Sequence, residues 1–126
     1  MKILLVESDQ ILANIISTLF ARHGHKVLAT ADAQAAIAAA DTQIPDAIIL
    51  DLLLPGRSGT EFLYELRSYP DWQQIPVVVY SSLPASEVHI ASDCFKQLDV
   101  QQFLYKPETS LTDLLSTINS LALASS

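Results

Sequence analysis

Short apolar runs alternate along the chain with longer stretches whose apolar residues recur at helical spacing. The runs predict five strands, at Lys2–Val6, Lys26–Ala29, Ala47–Leu50, Ile75–Tyr80 and Gln102–Tyr105. Five helices are predicted as well, four of them behind the cap residues Asp9, Asp32, Ser58 and Ser110 (or Thr109) and one over Pro84–Gln97. This alternation predicts an α/β fold, a doubly wound parallel sheet with helices on both faces.

Polar residues follow four of the predicted strands. Strand 1 ends in Glu7-Ser8-Asp9, strand 3 in Asp51, strand 4 in Ser81 and strand 5 in Lys106. In an open parallel sheet all strands end at one edge, and ligands bind there. Asp51 follows an apolar strand, where an unpartnered charge is costly. If strands 1, 3, 4 and 5 are neighbours, acids, a hydroxyl and a lysine surround Asp51.

These groups suit phosphoryl transfer. Two carboxylates at 4 Å repel by about 4 kcal/mol at an effective dielectric near 20, and Lys106 or a hard cation such as Mg²⁺ would relieve this repulsion. A carboxylate nucleophile beside cations that neutralise the phosphoryl oxygens is what phosphoryl transfer requires. The alternative is that Asp51 is a turn residue bonded to amides near Gly56. The other strand ends favour a functional site.

Composition narrows the class of protein. The 126 residues are half hydrophobic, so we expect a single domain over residues 1–126. The net charge of −7 argues against direct contact with nucleic acid or an anionic membrane. One cysteine, Cys94, excludes an internal disulfide and fits a reducing compartment. No run approaches the roughly 20 apolar residues of a membrane span, and no signal-peptide pattern is present, so a cytoplasmic protein is expected.

Four motifs at the strand ends resemble those of the receiver domain of two-component response regulators. They are Leu5-Val6-Glu7, Asp51-Leu52-Leu53-Leu54-Pro55 with Gly59, Val79-Tyr80-Ser81-Ser82 and Phe103-Leu104-Tyr105-Lys106-Pro107. Their order makes the resemblance specific, and it extends over nearly the whole chain. It implies a flavodoxin-like sheet of strand order 2-1-3-4-5 and a signalling domain that is not an enzyme.

The resemblance implies a role for each matching residue. Asp51 would be the phosphoacceptor, served by a histidine kinase or a histidine phosphotransfer protein, with Ser81 and Lys106 contacting the phosphoryl group. Glu7, Asp51 and the carbonyl of Leu53 would hold Mg²⁺. Phe103 would be a switch that turns inward with Ser81, although plain packing is an equal alternative for it. The Lys106–Pro107 bond would be cis.

Two departures from the family pattern stand out. Ser8 occupies the place of a second metal-binding acid, so weaker Mg²⁺ binding and slower phosphorylation are expected. Asp9 is the other candidate ligand, but we favour a role for it as a helix cap. Leu98–Gln102 stands where the family usually has a Gly-Ala-Asp turn. We therefore expect the shape of one face to differ from the family pattern. This is the face of helix 4, strand 5 and helix 5, where a downstream output protein would bind or a homodimer would form.

Other interpretations remain beside this one. A pseudo-receiver, an interaction module working without phosphorylation, is favoured by Ser8. A haloacid-dehalogenase-like phosphatase would need an acid in place of Leu53, and a nucleotide-binding fold would need a glycine-rich loop after strand 1. Neither is present. The three histidines have no ligand spacing and are expected at the surface. Ile11 and Phe20 are interpreted as margins of the first helix's apolar stripe rather than as a docking patch.

Overall fold

Five parallel strands form the centre of this computed structural model, which describes residues 1–83 and 97–124, the last two by backbone alone. The sheet has the order β2-β1-β3-β4-β5, which confirms the predicted doubly wound order 2-1-3-4-5. The strands are β1 Lys2–Val6, β2 Lys26–Thr30, β3 Ala47–Leu50, β4 Val77–Ser81 and β5 Val100–Tyr105. β5 therefore begins two residues earlier than predicted, at Val100.

Four helices lie in the described residues: α1 Gln10–Ala21, α2 Ala33–Thr42, α3 Gly59–Ser68 and the C-terminal helix Leu111–Ala124. Side chains cap each of them, because Asp9, Asp32, Ser58 and Ser110 accept hydrogen bonds from first-turn amides. The helix predicted over Pro84–Gln97 lies outside the described residues except for Gln97. Among the residues described, no helix combines the length and apolar character needed to cross a membrane.

The strands β1, β3 and β4 are buried on both faces, and their side chains alternate between two hydrophobic clusters. Leu4 and Val6 of β1 enter the first cluster, which α2 and α3 cover, while Ile3 and Leu5 enter the second, which α1 and the C-terminal helix cover. The same alternation runs along β3 and β4. This two-sided burial accounts for the continuous apolar runs in the sequence.

The entry into β5 is held by Arg67 of α3. Its guanidinium donates hydrogen bonds to the carbonyl oxygens of Leu98 at 2.8 Å, Trp72 at 2.8 Å and Asp99 at 3.3 Å. Partial burial lowers the pKa of Arg67, while the carboxylate of Asp99 acts in the opposite direction. Asp99 has a positive φ of 55°, a left-handed backbone conformation that residues other than glycine adopt only uncommonly. The bonds from Arg67 fix this turn and with it the start of β5.

The interpretation of the histidines is wrong for His25. Its side chain is buried, at 8% exposure, because one ring nitrogen pairs with Asn119 Oδ1 at 2.7 Å and the ring packs against Phe20 at 5.8 Å. The partner lies 94 residues away, so spacing along the chain gave no indication of it. His23 is exposed, as predicted. His89 lies outside the described residues.

The apolar stripe of α1 differs from the prediction at one edge. Phe20 is fully buried in the second cluster rather than marginal. Ile11 and Ile15 are exposed on the outer side of the helix. The ring of Phe20 packs against that of His25 and lies among the buried residues of the second cluster.

Gly59 allows α3 to start close to the strand that precedes it. Its N–H donates to the Leu52 carbonyl at 2.9 Å, and a Cβ on Gly59 would lie 2.5 Å from the Asp51 carbonyl oxygen. We expect Gly59→Ala to lower the free energy of unfolding by about 1–3 kcal/mol, because backbone must move to relieve the overlap. Urea unfolding followed by Trp72 fluorescence measures this.

The matched control for this prediction is Thr60→Ala, one position further along the same helix. Thr60 is only partly buried, so its variant should stay within about 0.5 kcal/mol of the wild type. Equal unfolding free energies for Gly59→Ala and Thr60→Ala would contradict the close approach.

Candidate functional site

The register of the sheet brings four polar strand ends together. Val6 pairs with Leu50, Leu50 pairs with Val79, and Ser81 pairs with Tyr105. Three of the polar residues directly follow β1, β3 and β5, and the fourth is the last residue of β4, so these positions lie at one edge of the sheet. They carry the side chains predicted to meet there, namely Glu7, Asp51, Ser81 and Lys106.

Asp51 is the centre of this group and is almost completely buried, at 4% exposure. Its Oδ1 accepts the Ser81 hydroxyl at 2.8 Å and the Leu53 N–H at 3.0 Å. Its Oδ2 accepts a hydrogen bond from Lys106 Nζ at 2.9 Å. The turn interpretation had Asp51 bonded to amides near Gly56, whereas its hydrogen bonds come from the Leu53 amide, from Ser81 on β4 and from Lys106 just after β5.

Lys106 bridges two carboxylates. Its ammonium lies 2.6 Å from Glu7 Oε1 and 2.9 Å from Asp51 Oδ2, and Glu7 is only 2% exposed. Burial by itself would lower the pKa of Lys106, but the hydrogen bonds to Glu7 and Asp51 raise it above the usual range for lysine. Lys106 is therefore charged at neutral pH and neutralises part of the acidic pair.

Every carboxylate oxygen of the pair already has a partner. The second oxygen of Glu7, Oε2, accepts the N–H of Asp9 at 3.1 Å. Over residues 1–83 and 97–122, each buried side-chain nitrogen or oxygen has a hydrogen-bond partner. The site is internally satisfied as folded.

Ser8 and Asp9, the two candidates for a further metal ligand, are both directed elsewhere. Asp9 Oδ1 accepts the N–H groups of Ile11 at 3.0 Å and Leu12 at 3.2 Å, so it is the N-cap of α1, the role we favoured. Ser8 is exposed. Neither side chain adds a third carboxylate to Glu7 and Asp51.

The donor atoms of this group bear on whether it can hold a divalent cation. Glu7 and Asp51 supply the hard oxygen donors that Mg²⁺ prefers. In the described part of the chain, however, no three His, Cys, Asp or Glu side chains are grouped so that they could hold a metal. Lys106 occupies the space between the two carboxylates. As arranged here, a divalent ion would have to displace Lys106 from the two carboxylates.

Three further predicted features have different outcomes. Leu53 is half exposed, and its N–H contacts Asp51. Phe103 is partly buried and packs against the first hydrophobic cluster. The predicted cis bond at Lys106–Pro107 is wrong, because the peptide bonds of the described residues are all trans. Lys106–Glu108 form one turn of 3₁₀-helix with Pro107 near its start, where the fixed φ of proline suits a helical turn.

One residue at the site was missed by sequence reasoning. The aromatic ring of Tyr80 lies under Lys106, with Nζ 5.7 Å from the ring centroid. Burial raises the pKa of Tyr80, the charge of Lys106 lowers it and that of Glu7 raises it. The feature of the sequence that could have indicated this role is the position of Tyr80 directly before Ser81 at the end of a strand.

A flavodoxin-like sheet whose strand ends gather a buried acid, a hydroxyl and a lysine defines a class of phosphate-handling signalling domains. The sequence matches the response regulator receiver domain family over residues 3–119, and the chain belongs to this family.

Three similar proteins illustrate the relationship. The probable transcriptional regulatory protein TcrX of Mycobacterium tuberculosis is 35% identical over 89 residues, which is 71% of this chain and 37% of TcrX. The BeF3-activated N-terminal receiver domain of Klebsiella pneumoniae RstA is 26% identical, with a TM-score of 0.82 and coverage of 95% and 97%. The Mn²⁺-bound form of response regulator Rcp1 is 30% identical, with a TM-score of 0.75 and coverage of 95% and 90%.

Family membership carries general properties. Receiver domains accept a phosphoryl group, interact with histidine kinases and output domains, and generally bind Mg²⁺ at an acidic pocket. They are generally signalling modules without enzymatic activity of their own. The chain spans about a third of the length of TcrX.

Replacing Lys106 tests how much its ammonium contributes to the stability of the fold. We expect Lys106→Met to lower the free energy of unfolding by about 3 kcal/mol at neutral pH, since it leaves two buried carboxylates uncompensated. Because folding raises the pKa of Lys106, the stabilisation is complete below the unfolded value of about 10.4 and is lost as pH rises through the folded value. Urea unfolding at several pH values should therefore show the two proteins converging in alkali.

Lys26→Met is the control, because Lys26 is an exposed lysine at the start of β2. It should be close to the wild type across the same pH range. If both lysine variants lose equal stability at neutral pH, the bridge contributes nothing specific.

Proposed function

We propose that residues 1–126 form a single receiver domain that accepts a phosphoryl group on Asp51. The donor would be a phosphohistidine of a histidine kinase or of a histidine phosphotransfer protein. One observation carries this proposal: Asp51 is buried at the sheet edge with Ser81 on one carboxylate oxygen and Lys106 on the other. The single cysteine of the chain supports a reducing, cytoplasmic setting.

The chemistry assigned to these residues is a transfer between two side chains. A carboxylate oxygen of Asp51 attacks phosphorus, the phosphorus–nitrogen bond to the donor histidine breaks, and its electron pair returns to the imidazole. Lys106 neutralises the phosphoryl oxygens, since its ammonium already contacts Asp51 Oδ2 at 2.9 Å. The Ser81 hydroxyl is within hydrogen-bond distance of the same carboxylate and can follow the new group.

The proposed output signal is a change in the protein surface beside β5. A phosphoryl group adds about 1.5 to 2 negative charges, which would draw Lys106 and Ser81 towards it. Phe103 lies on β5, three residues before Lys106, and we assign it the role of the switch that repacks with Ser81. A downstream output protein would then bind on the side of β5. A homodimer through this face stays a prediction, because residues 84–96 of it lie outside the described part.

A second candidate is a pseudo-receiver that signals through protein contacts without phosphorylation. The observation that favours it is the closed set of contacts in the acidic group, in which Lys106 fills the place between Glu7 and Asp51. The net charge of −7 supports, for either candidate, a protein partner rather than nucleic acid.

Weak Mg²⁺ binding belongs to this proposal. Glu7 and Asp51 would have to exchange their contacts with Lys106 for contacts with the ion, and Ser8 supplies no carboxylate to favour the exchange. The Leu53 carbonyl would be the remaining protein ligand. When bound, the ion would supply positive charge for the phosphoryl oxygens.

Phosphorylation is tested with a small phosphodonor, such as phosphoramidate, in the presence of Mg²⁺. We expect the wild type to gain the mass of one phosphoryl group by intact mass spectrometry. Asp51→Asn should gain none, whereas Asp41→Asn, which alters an exposed acid at the end of α2, should behave as the wild type. If the wild type stays unmodified under conditions that phosphorylate Ser8→Asp, the proposal that the wild type accepts a phosphoryl group is refuted, and the pseudo-receiver is the remaining candidate.

Metal affinity is tested by adding the missing acid. We expect Ser8→Asp to bind Mg²⁺ at least about tenfold more tightly than the wild type, which corresponds to roughly 1.4 kcal/mol. Titration followed by the backbone amide signals of Asp9 and Leu53 measures both affinities. Ser116→Asp adds the same charge on the C-terminal helix and should leave the affinity unchanged. Equal dissociation constants for wild type and Ser8→Asp would contradict the assignment of Ser8.

A further inference from the structure

Tyr80 occupies a particular position between the acidic group and the core. It immediately precedes Ser81 on β4, and its side chain is 5% exposed within the second hydrophobic cluster. Ser81 and Tyr80 point to opposite faces of the strand, because side chains alternate along it. Tyr80 therefore reaches Lys106 from the core side, while Glu7 and Asp51 contact the same ammonium through their carboxylates.

The side chain of Tyr80 contacts the turn that carries Lys106 at both ends. The ring lies under Lys106 Nζ, 5.7 Å away, and the hydroxyl donates to the Thr109 carbonyl at 3.3 Å. Between these two points the 3₁₀ turn Lys106–Glu108 closes, with Thr109 N–H donating to the Lys106 carbonyl at 3.3 Å. Ser110 then caps the C-terminal helix. One side chain thus supports the whole connection from β5 to that helix.

The two contacts have different physical consequences. A cation within about 6 Å of an aromatic centroid is attracted by roughly 0.5–2 kcal/mol, and this attraction extends over the whole ring face. An ammonium on a ring can therefore shift without losing its partner, whereas a hydrogen bond ties it to one point. The hydrogen bond from the Tyr80 hydroxyl, in contrast, holds the Thr109 carbonyl at one point and so restricts the backbone of the turn.

We propose that Tyr80 is a positioning residue for Lys106: its ring supports the ammonium between Glu7 and Asp51, and its hydroxyl fixes the Lys106–Glu108 turn. The placement of Lys106 is independent of phosphorylation. Its consequence for phosphoryl transfer rests on the proposed function of Asp51. In that reaction Lys106 moves towards new charge on Asp51 while it stays over the ring.

Two variants separate the ring from the hydroxyl. Tyr80→Phe keeps the ring and loses the contact with Thr109, and Tyr80→Leu loses both. Protons next to Lys106 Nζ should show an upfield ring-current shift in the wild type and in Tyr80→Phe. In Tyr80→Leu they should move to the position of the exposed Lys26. The signals are assigned by their absence in Lys106→Met.

Tyr69→Leu serves as the control, since the ring of Tyr69 packs at a tilt against Trp72 and its loss should leave the Lys106 signals unchanged. The wild-type spectrum alone already decides the placement, even if Tyr80→Leu does not fold. Lys106 signals at the position of Lys26 in the wild type, or unmoved in a folded Tyr80→Leu, would overturn the proposal.

The kinetic consequence is measured on the same proteins. With the small phosphodonor, Tyr80→Leu should phosphorylate about fivefold more slowly than the wild type, which matches roughly 1 kcal/mol of lost positioning. Tyr80→Phe, which keeps the ring but loses the contact with the Thr109 carbonyl, should have a rate between those of the wild type and Tyr80→Leu. Equal rates for Tyr80→Leu and wild type would overturn the kinetic part. A wild type that shows the ring-current shift but gains no phosphoryl group would refute the proposed function and leave the placement of Lys106 intact.

Discussion

The ammonium of Lys106 between two buried carboxylates is the interaction on which this sheet edge depends. Glu7 and Asp51 are both nearly inaccessible to water, and without a cation they would repel by about 4 kcal/mol at 4 Å and an effective dielectric near 20. Lys106 contacts both of them within 2.9 Å. Its partners come from β1 and β3, whereas it follows β5 at the far edge of the sheet. The acidic group therefore requires that β5 be placed correctly.

The contacts around β5 can be understood from this requirement. Arg67 fixes the turn before the strand through the carbonyls of Leu98 and Asp99, and Tyr80 supports the turn after it. An irregularity between Val77 and Val78 adds one residue to β5 relative to β4. Beyond that point the register is regular up to Ser81 and Tyr105. The strand is thus anchored at both ends, and Lys106 leaves it in a defined direction.

Sequence patterns predicted the architecture and the acidic group because both follow from local signals. Four-residue apolar runs with turns on either side mark strands buried on both faces, and parallel strands bring their ends together wherever the helices lie. The features that were not predicted from the sequence depend on contacts between residues far apart in the chain. His25 is buried because Asn119 reaches it, and Tyr80 resembles any apolar aromatic of a strand until Lys106 is seen above it. Likewise, β5 begins at Val100 because Arg67 holds the preceding turn, a contact no periodicity reveals.

The charge balance explains why Ser8 matters more than its exposed position suggests. Two carboxylates and one ammonium leave one net negative charge in the group, which the protein can hold with its own hydrogen bonds. A second acid after Glu7 would raise this to two, and an internal lysine could not balance that group alone. With serine at this position, Lys106 and the surrounding hydrogen bonds compensate the charge of the two carboxylates within the protein. On the proposed function, a phosphoryl group on Asp51 would compete with Glu7 for one ammonium, so loss of the Glu7–Lys106 contact would be the first structural consequence of phosphorylation.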